Sequence, residues 1–404
     1  MRVSRIAKTF FLLVAAALSG CATTQQTSKA PDFLQQALAR ETTLSDQYSV
    51  AAEDGFFSAN VAGSGQPKIT PHEGFYQVTV PMATETPVEC FVYHDAMDSA
   101  ATLSRLIDQP LSDMPKTQVL KIDAGAFGQV PYLYQEQLYL TEQKLAGVLK
   151  GIVVPFQSSL LACLHDTVGY SETFQKIAAS FANTLVLRDE PREELVYEEV
   201  LLWQLRDMNV GYTVNRAVPD VEGRIRSTVE TAVLFPRSAS ETMAHDEYNV
   251  THEESNGDLI SGRYAEAENG EIKMLISLDR VEAGGYRVEG TFQGKEINAP
   301  LQAVSGVAGP YYQHREMVRA ANPPSGEPRA MSVDAYVPSA NPLQPIRFDV
   351  NPTGGRVGGL PEYELLFSGL KATGVVDDKG QKYMTVKMGP MKLQLSRTYV
   401  NNRP

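Results

Sequence analysis

Glu271-Ile-Lys-Met-Leu-Ile-Ser-Leu-Asp-Arg280 and, beyond Gly284-Gly285, Tyr286-Arg-Val-Glu-Gly-Thr-Phe-Gln-Gly294 carry the clearest alternation in the chain. Ile272, Met274, Ile276 and Leu278 fall on one side of the first segment, and Tyr286, Val288 and Phe292 on one side of the second. Arg287, Glu289, Thr291 and Gln293 oppose them. Side chains alternate across a strand, so both segments read as strands with one buried face. The two glycines supply the positive φ that a tight hairpin turn demands.

The same pattern extends in both directions. Asn209–Val218 and Arg224–Leu234 are separated by the turn Pro-Asp-Val-Glu-Gly, and Asn256-Gly-Asp, Asn269-Gly-Glu and Gln293-Gly294 mark further hairpins. A last hairpin turns at Asp377-Asp-Lys-Gly380 and returns through Met384, Val386 and Met388, then Leu393 and Leu395. Residues 195–404 therefore read as an all-β meander or partly closed barrel of roughly ten strands. Residues 320–361, rich in Pro and Gly, read as a long ordered loop interrupting it.

The first half mixes strand and helix, so the whole is expected to be α+β. Asp32 is placed to cap a short helix with Phe33, Leu34, Ala37 and Leu38 on one face. Strands are expected at Phe75–Val80, Val88–Tyr93, Gln118–Asp123, Pro131–Thr141, Ala146–Pro155 and Ser159–Asp166. Asp98 opens a helix with Leu103, Leu106 and Ile107 on one face. Ser171 starts another, with Phe174, Ile177, Ala178 and Phe181 at the spacing of a buried stripe. The economical arrangement is an antiparallel sheet flanked by helices over 32–190. The charged, proline-bearing stretch 188–195 is the expected seam between two domains.

The run Leu160-Leu-Ala-Cys-Leu-His-Asp-Thr-Val-Gly-Tyr-Ser-Glu-Thr-Phe-Gln-Lys-Ile-Ala-Ala-Ser-Phe181 resembles the close of a PsbP-type α/β sandwich. A final strand leads there through a polar turn into a helix with aromatic and aliphatic anchors. That resemblance implies a small non-catalytic binding or assembly module.

The chain begins with Arg2, Arg5 and Lys8, an apolar run Phe10–Leu18, and Leu18-Ser19-Gly20-Cys21. A charged start, a short apolar middle and small residues before the cut are the marks of an export signal over 1–20. The ending resembles the lipobox of bacterial lipoproteins, which implies a diacylglyceryl group on the Cys21 thiol and an acyl chain on its amine. Two or more chains suffice for stable anchoring at about 0.8 kcal/mol per buried methylene. Residues 21–31 form a polar lipidated tether. Ala22, not aspartate, implies by the enterobacterial sorting rule an outer-membrane address, facing the periplasm or the cell surface.

The formal net charge is −12, and removing residues 1–20 takes away three positive charges and no negative ones, leaving −15. Nucleic acid, whose phosphates need Lys and Arg, is a poor partner for such a surface. After Cys21 only Cys90 and Cys163 remain, which in an oxidising compartment read as one disulfide. His94 shares a face with Cys90 and His165 with Cys163, so a zinc site of two thiolates and two imidazoles is the competing reading. His245 and His252, among Asp246, Glu247, Glu253 and Glu254, lie seven apart and so on opposite faces of a strand, and read as a solvated hairpin. Trp203 and Tyr311-Tyr312 read as core aromatics with a binding surface as the alternative.

Gly354-Gly-Arg-Val-Gly-Gly359 lacks the Lys-Ser/Thr of a phosphate loop and reads as a hairpin. Neither Gly-x-Ser-x-Gly nor His-Glu-x-x-His occurs. No catalytic residue, metal or cofactor is therefore assigned. The expected role is a membrane-anchored binding or assembly subunit with an envelope protein partner. The alternatives are a lipid carrier, with Met274, Met384, Met388 and Met391 lining a concave sheet, and a hydrolase of envelope glycan or peptide using scattered carboxylates.

Overall fold

The computed structural model describes residues 32–402 except 45, 84–85, 97, 189–193, 283, 302–305, 324–325, 368 and 389–390. The signal, Cys21 and the tether lie outside the described residues, as does most of the expected seam.

The chain is β-rich, which corrects the α+β expectation: among the described residues there are four short helices, and the rest of the regular structure is antiparallel strand. The helices are Asp32–Leu38, Ser99–Leu111, Ser171–Thr184 and Pro310–Ala321. None of them is long and apolar enough to cross a membrane. A seven-stranded sheet runs in the order Lys68–His72, Phe75–Val80, Val88–His94, Ser159–Asp166, Ala146–Pro155, Val130–Leu140, Lys116–Phe127. A three-stranded sheet of Asp46–Ala51, Phe57–Gly63 and Val186–Leu187 packs beside it.

The second sheet has fourteen strands rather than roughly ten. Eight run consecutively from Tyr197–Leu205 to Lys295–Pro300, and six from Met331–Ala335 to Met391–Asn402. The two runs join where Tyr197–Leu205 pairs antiparallel with Met391–Asn402. The sheet curls but is not a closed barrel, because Lys295–Pro300 and Met331–Ala335 remain its two edges. Ala308 bridges Asp258 on one side and Ala335 on the other, so a short connecting segment spans part of the gap.

The expected loop over 320–361 is instead the end of the fourth helix, the strand Met331–Ala335 and the strand Ile346–Val357. Pro352, Gly354 and Gly355 sit at a bulge where the register breaks between Pro352 and Arg356. A bulge accommodates the residues that disfavour a regular ladder. In the alternating segment at 271–280, Met274, Ile276 and Leu278 are buried as expected. Ile272, at the strand's frayed start, is 64% exposed, just where the register shifts opposite Glu266 and Ala267.

One face of the seven-stranded sheet (Val78, Val92, Ile152, Leu161) packs under Phe174, Ile177 and Phe181 of the third helix. The other face (Leu133, Val153, Leu160) packs on Leu103 and Ile107 of the second helix and on Val200, Tyr212, Val214 and Leu234 of the large sheet. One continuous core therefore joins the two sheets.

Among the described residues, no helix of eight residues or more is capped by its own N-cap side chain. Carboxylates from distant segments take that place. Asp246 accepts from the Ala100 and Ala101 amides at 2.7 and 2.8 Å. Glu41 accepts from the Glu172 and Thr173 amides at 3.0 and 2.8 Å. Glu253 accepts from the Tyr311 and Tyr312 amides at 3.1 and 3.0 Å. Each satisfies otherwise orphaned donors and lays negative charge on the positive end of a helix.

Candidate functional site

Alternation along Thr242–Glu253 gives the large sheet two different faces. Ala244 and Asp246 turn toward the shared core and the second helix. His245, Glu247, Asn249, Thr251 and Glu253 take the opposite face. That face is the inside of the curl: the ring of Tyr264 lies 5.2 Å from that of Tyr336, which follows the far edge strand.

The helix Pro310–Ala321 lies inside. Pro310 at its first position has no amide to leave unpaired. Glu253, fully buried, holds its N-terminus and also accepts from Ser227 Oγ at 2.9 Å. At the other end Tyr363 Oη donates to the Ala320 carbonyl at 3.1 Å, and Asn322 Nδ2 donates to the Asp377 carbonyl at 3.0 Å. Between them the His314 ring stacks 3.8 Å from Tyr197. A side chain at Gly380 would meet that ring at 2.5 Å, so the helix can seat only on a glycine there.

The inner face so formed sets polar groups among the apolar clusters around Leu201, Val233, Tyr264 and Tyr363. Cross-strand pairing aligns Thr213, Thr231, Glu247 and Glu266 in a row, with Leu201 beyond Thr213 and Met274 and Phe292 beyond Glu266. Trp203 Nε1 donates to Thr213 Oγ1 at 2.8 Å, and the Thr213 and Thr231 hydroxyls are 2.9 Å apart. Asn215 Nδ2 donates to Glu199 Oε1 at 2.7 Å, and Asn249 Nδ2 to Glu247 Oε1 at 2.6 Å. His245 Nδ1 stands 3.8 Å from Glu266 Oε1. Arg397 pairs with Asp377.

Burial dominates the electrostatics. It pushes Glu199 and Glu247 upward, and it raises Glu266 to about 8, with the facing Glu247 and Glu268 adding to the effect. It lowers His245 and His314 to about 4, so both rings are neutral at neutral pH. Several buried atoms make no hydrogen bond: Asn249 Oδ1, Thr251 Oγ1, His314 Nε2 and Arg397 Nη1. Buried polar groups left in this state call for water or a ligand.

Cys90 and Cys163 form a disulfide across directly paired positions of neighbouring strands. With both sulfurs bonded, neither thiolate is free for zinc, and no group of three or more potential ligands occurs among the described residues. His94 stacks at 3.6 Å on Phe56. His165 is buried beside Phe174 and Lys150, and desolvation, then the Lys150 charge, lowers it to about 4. Lys150, also fully buried, donates to the Thr167 carbonyl and is lowered to about 8 by desolvation.

His245 and His252 share a strand, as expected. The solvated hairpin is corrected, since Asp246 and Glu253 are buried structural acceptors. Trp203 packs between Leu201 and Leu395 on one side and Val210 and Val233 on the other, half buried. Tyr311 and Tyr312 lie on the lumen helix. Met274 and Met384 sit in separate apolar clusters; the Met388 and Met391 side chains are outside the description. Sequence reasoning missed Glu199, Glu247, Glu266 and Arg397 as a group, because only strand pairing brings them to one face.

No family model matches the chain, and no curated protein matches it. Among solved structures, it is similar to a β-barrel-like protein of the domain of unknown function DUF1849 from Brucella abortus. That alignment has 12% identity and a TM-score of 0.38, over 52% of this chain and 98% of the other. A protein from Bacteroides thetaiotaomicron aligns at 12% identity and a TM-score of 0.25, over 39% of this chain and 52% of its own. Cyanobacterial PsbP from Synechocystis aligns at 6% identity and a TM-score of 0.26, over 37% of this chain and 96% of its own. These likenesses are weak and concern fold alone.

Proposed function

We propose that this chain is a non-catalytic binding protein of the bacterial envelope, anchored to the outer membrane through an acylated Cys21 and working as a subunit beside an envelope protein partner. Its binding site is the lumen of the curled sheet. The observation that carries this reading is the inner face, on which Asn249 Oδ1 and Thr251 Oγ1 are buried without partners. On the opposite face the buried Glu198 and Glu230 pair with Arg216, and Asp246 with helix amides, so the polar groups there are satisfied.

Cys21→Ser should move the protein from the membrane to the soluble envelope fraction, and retention in the membrane would overturn the anchor. Purification of the lipidated chain from native envelopes should recover a stoichiometric partner. Elution as the lone chain under mild detergent conditions would remove the subunit role.

A further inference from the structure

The helix Pro310–Ala321 fits its seat closely, yet little apolar burial holds it there. The second helix buries Leu103, Ile107 and Leu111, and the third Phe174, Ile177 and Phe181. The fourth buries only His314, Ala320 and Ala321, with Met317 partly buried near Val350 and Tyr363 at its C-terminal half. The fit is nonetheless specific. The wall carries glycine where the helix presses on it, since a side chain at Gly257 or Gly380 would run into the rings of Tyr312 and His314. Close shape with little apolar content is the character of an interface between parts that separate.

Docking also leaves polar atoms unpaired on both sides of the contact. His314 Nε2 and Arg315 Nε on the helix, and Arg397 Nη1 on the wall, are buried without a hydrogen-bond partner. Arg397 is near enough to His314 for its charge to act on the ring. Each of these atoms regains water when the helix leaves, which offsets part of what docking gains. The ties that remain are polar and sit at the two ends: Glu253 on the Tyr311 and Tyr312 amides, Tyr363 on the Ala320 carbonyl, and Asn322 on the Asp377 carbonyl. Beside the first turn the wall does not close. A cleft of about 240 Å³, lined by Asp258, Ala308, Tyr312, Ser332 and Asp334, opens there between the helix and the edge strand Met331–Ala335.

We infer that the helix Pro310–Ala321 is a displaceable plug, which undocks from the lumen as a unit while both sheets stay folded. The lumen is then open to an occupant only when the helix is out, and anything that binds the lumen shifts the population toward the undocked form. Elements that gate a site are drawn from the least stable parts of a fold, and this helix has the least apolar anchoring of the three long ones. The role as a gate rests on the lumen being the binding site, as proposed above; the undocking itself does not.

The test is hydrogen exchange and diethylpyrocarbonate labelling, both read by mass spectrometry, on the lipidated chain in mild detergent with no ligand added. Amides over 310–321 should exchange about 100-fold faster than those of Thr242–Glu253, and evenly along the helix, because 12 residues released from their seat unravel. His314, with its ring neutral and reactive, should be labelled under native conditions, while His165, buried against Phe174 in the other core, should not. The lock is Glu253→Cys with Gly309→Cys, since a Cβ at Gly309 would lie 2.8 Å from that of Glu253 and a small shift reaches disulfide spacing. Oxidised, the pair should slow both helix exchange and His314 labelling about 10-fold against the parent; reduced, with the cap gone, both should run faster than in the parent. Helix amides that exchange only together with the strands, exchange graded inward from the helix ends, or an oxidised lock without effect each overturns the plug. A helix that undocks, in a chain whose oxidised lock still recovers the same envelope partner, keeps the plug and removes the lumen as the binding site.

Discussion

Replacing Glu253 by alanine should release the helix Pro310–Ala321 from the lumen. The fully buried carboxylate accepts three hydrogen bonds, from Ser227 Oγ and the Tyr311 and Tyr312 amides. The serine hydroxyl can rotate to another acceptor, but the two amides are fixed by the helix. Leaving a buried donor unsatisfied costs about 1–3 kcal/mol each. The lost charge at the helix N-terminus adds about 0.3–1 kcal/mol. Against this, removing the carboxylate relieves its desolvation, which already pushes its pKa upward. The net expectation is about 2–4 kcal/mol of local stability, or roughly 30- to 1,000-fold faster exchange of the helix amides. Glu253→Gln keeps one acceptor oxygen and should lose about half as much. Hydrogen exchange resolved over residues 310–321 measures the effect. Trp203, the chain's single tryptophan, lies on the same inner face and reports global unfolding by fluorescence in urea. If the alanine variant's helix amides exchange at the parental rate, Glu253 does not hold this helix and the account of the lumen is wrong.

The disulfide closes a separation of 73 residues, so Cys90→Ala with Cys163→Ala should cost about 4 kcal/mol in the chain-entropy model; urea midpoints that do not respond to the substitution or to reductant would contradict this. Leu103→Ala, at a site fully buried between the two sheets, should cost about 3–5 kcal/mol, and a smaller loss in urea unfolding would mean the sheets can close over the gap. Stability should be higher at pH 6.5 than at pH 8.5. Burial raises Asp246 to about 7 and Glu266 to about 8, so their contribution is complete below the unfolded values near 4 and is lost as pH rises through 7 and 8. The buried His165, His245 and His314, lowered to about 4, act in the opposite sense: their contribution is complete above 6.5 and is lost as pH falls through about 4. Thermal melts across pH 4–9 test both limbs, and Glu266→Gln should flatten the alkaline one.

Local pattern carried much of the fold. Strands at Phe75–Val80, Ala146–Pro155 and Ser159–Asp166 and the helix from Ser171 follow from alternation, turn residues and a stripe of apolar anchors. What depended on distant partners was not legible. Asp98 and Ser171 read as caps, yet the amides of those two helices are taken by Asp246 and Glu41, which lie 146 and 131 residues away from the first amide each holds. Asp46–Ala51 and Phe57–Gly63 were missed, and so was the helix Pro310–Ala321, although Pro310 at a first helical position and the apolar Tyr311, Met317 and Val318 were available as signals. The Pro and Gly of 320–361 read as a loop because a bulged strand uses the same residues. The lumen itself depends on register. Glu247 and Glu266 are unremarkable acids in sequence, and only the pairing of two twelve- and ten-residue strands sets them face to face.

The join between Tyr197–Leu205 and Met391–Asn402 has a consequence for how the chain is made. A chain synthesised from its N-terminus can lay down the run from Tyr197 to Pro300 strand by strand, since each strand pairs with its neighbour in sequence. The first strand of that run then waits with one side open until the last strand of the protein arrives. Until Met391–Asn402 pairs there, that open side is a template for any extended chain nearby. Such late, long-range pairing slows folding and invites wrong partners. Truncation of Met391–Asn402 would therefore leave not a shortened protein but an aggregation-prone one, and a chaperone that shields strand edges would matter most in the interval between the synthesis of residue 205 and that of residue 402.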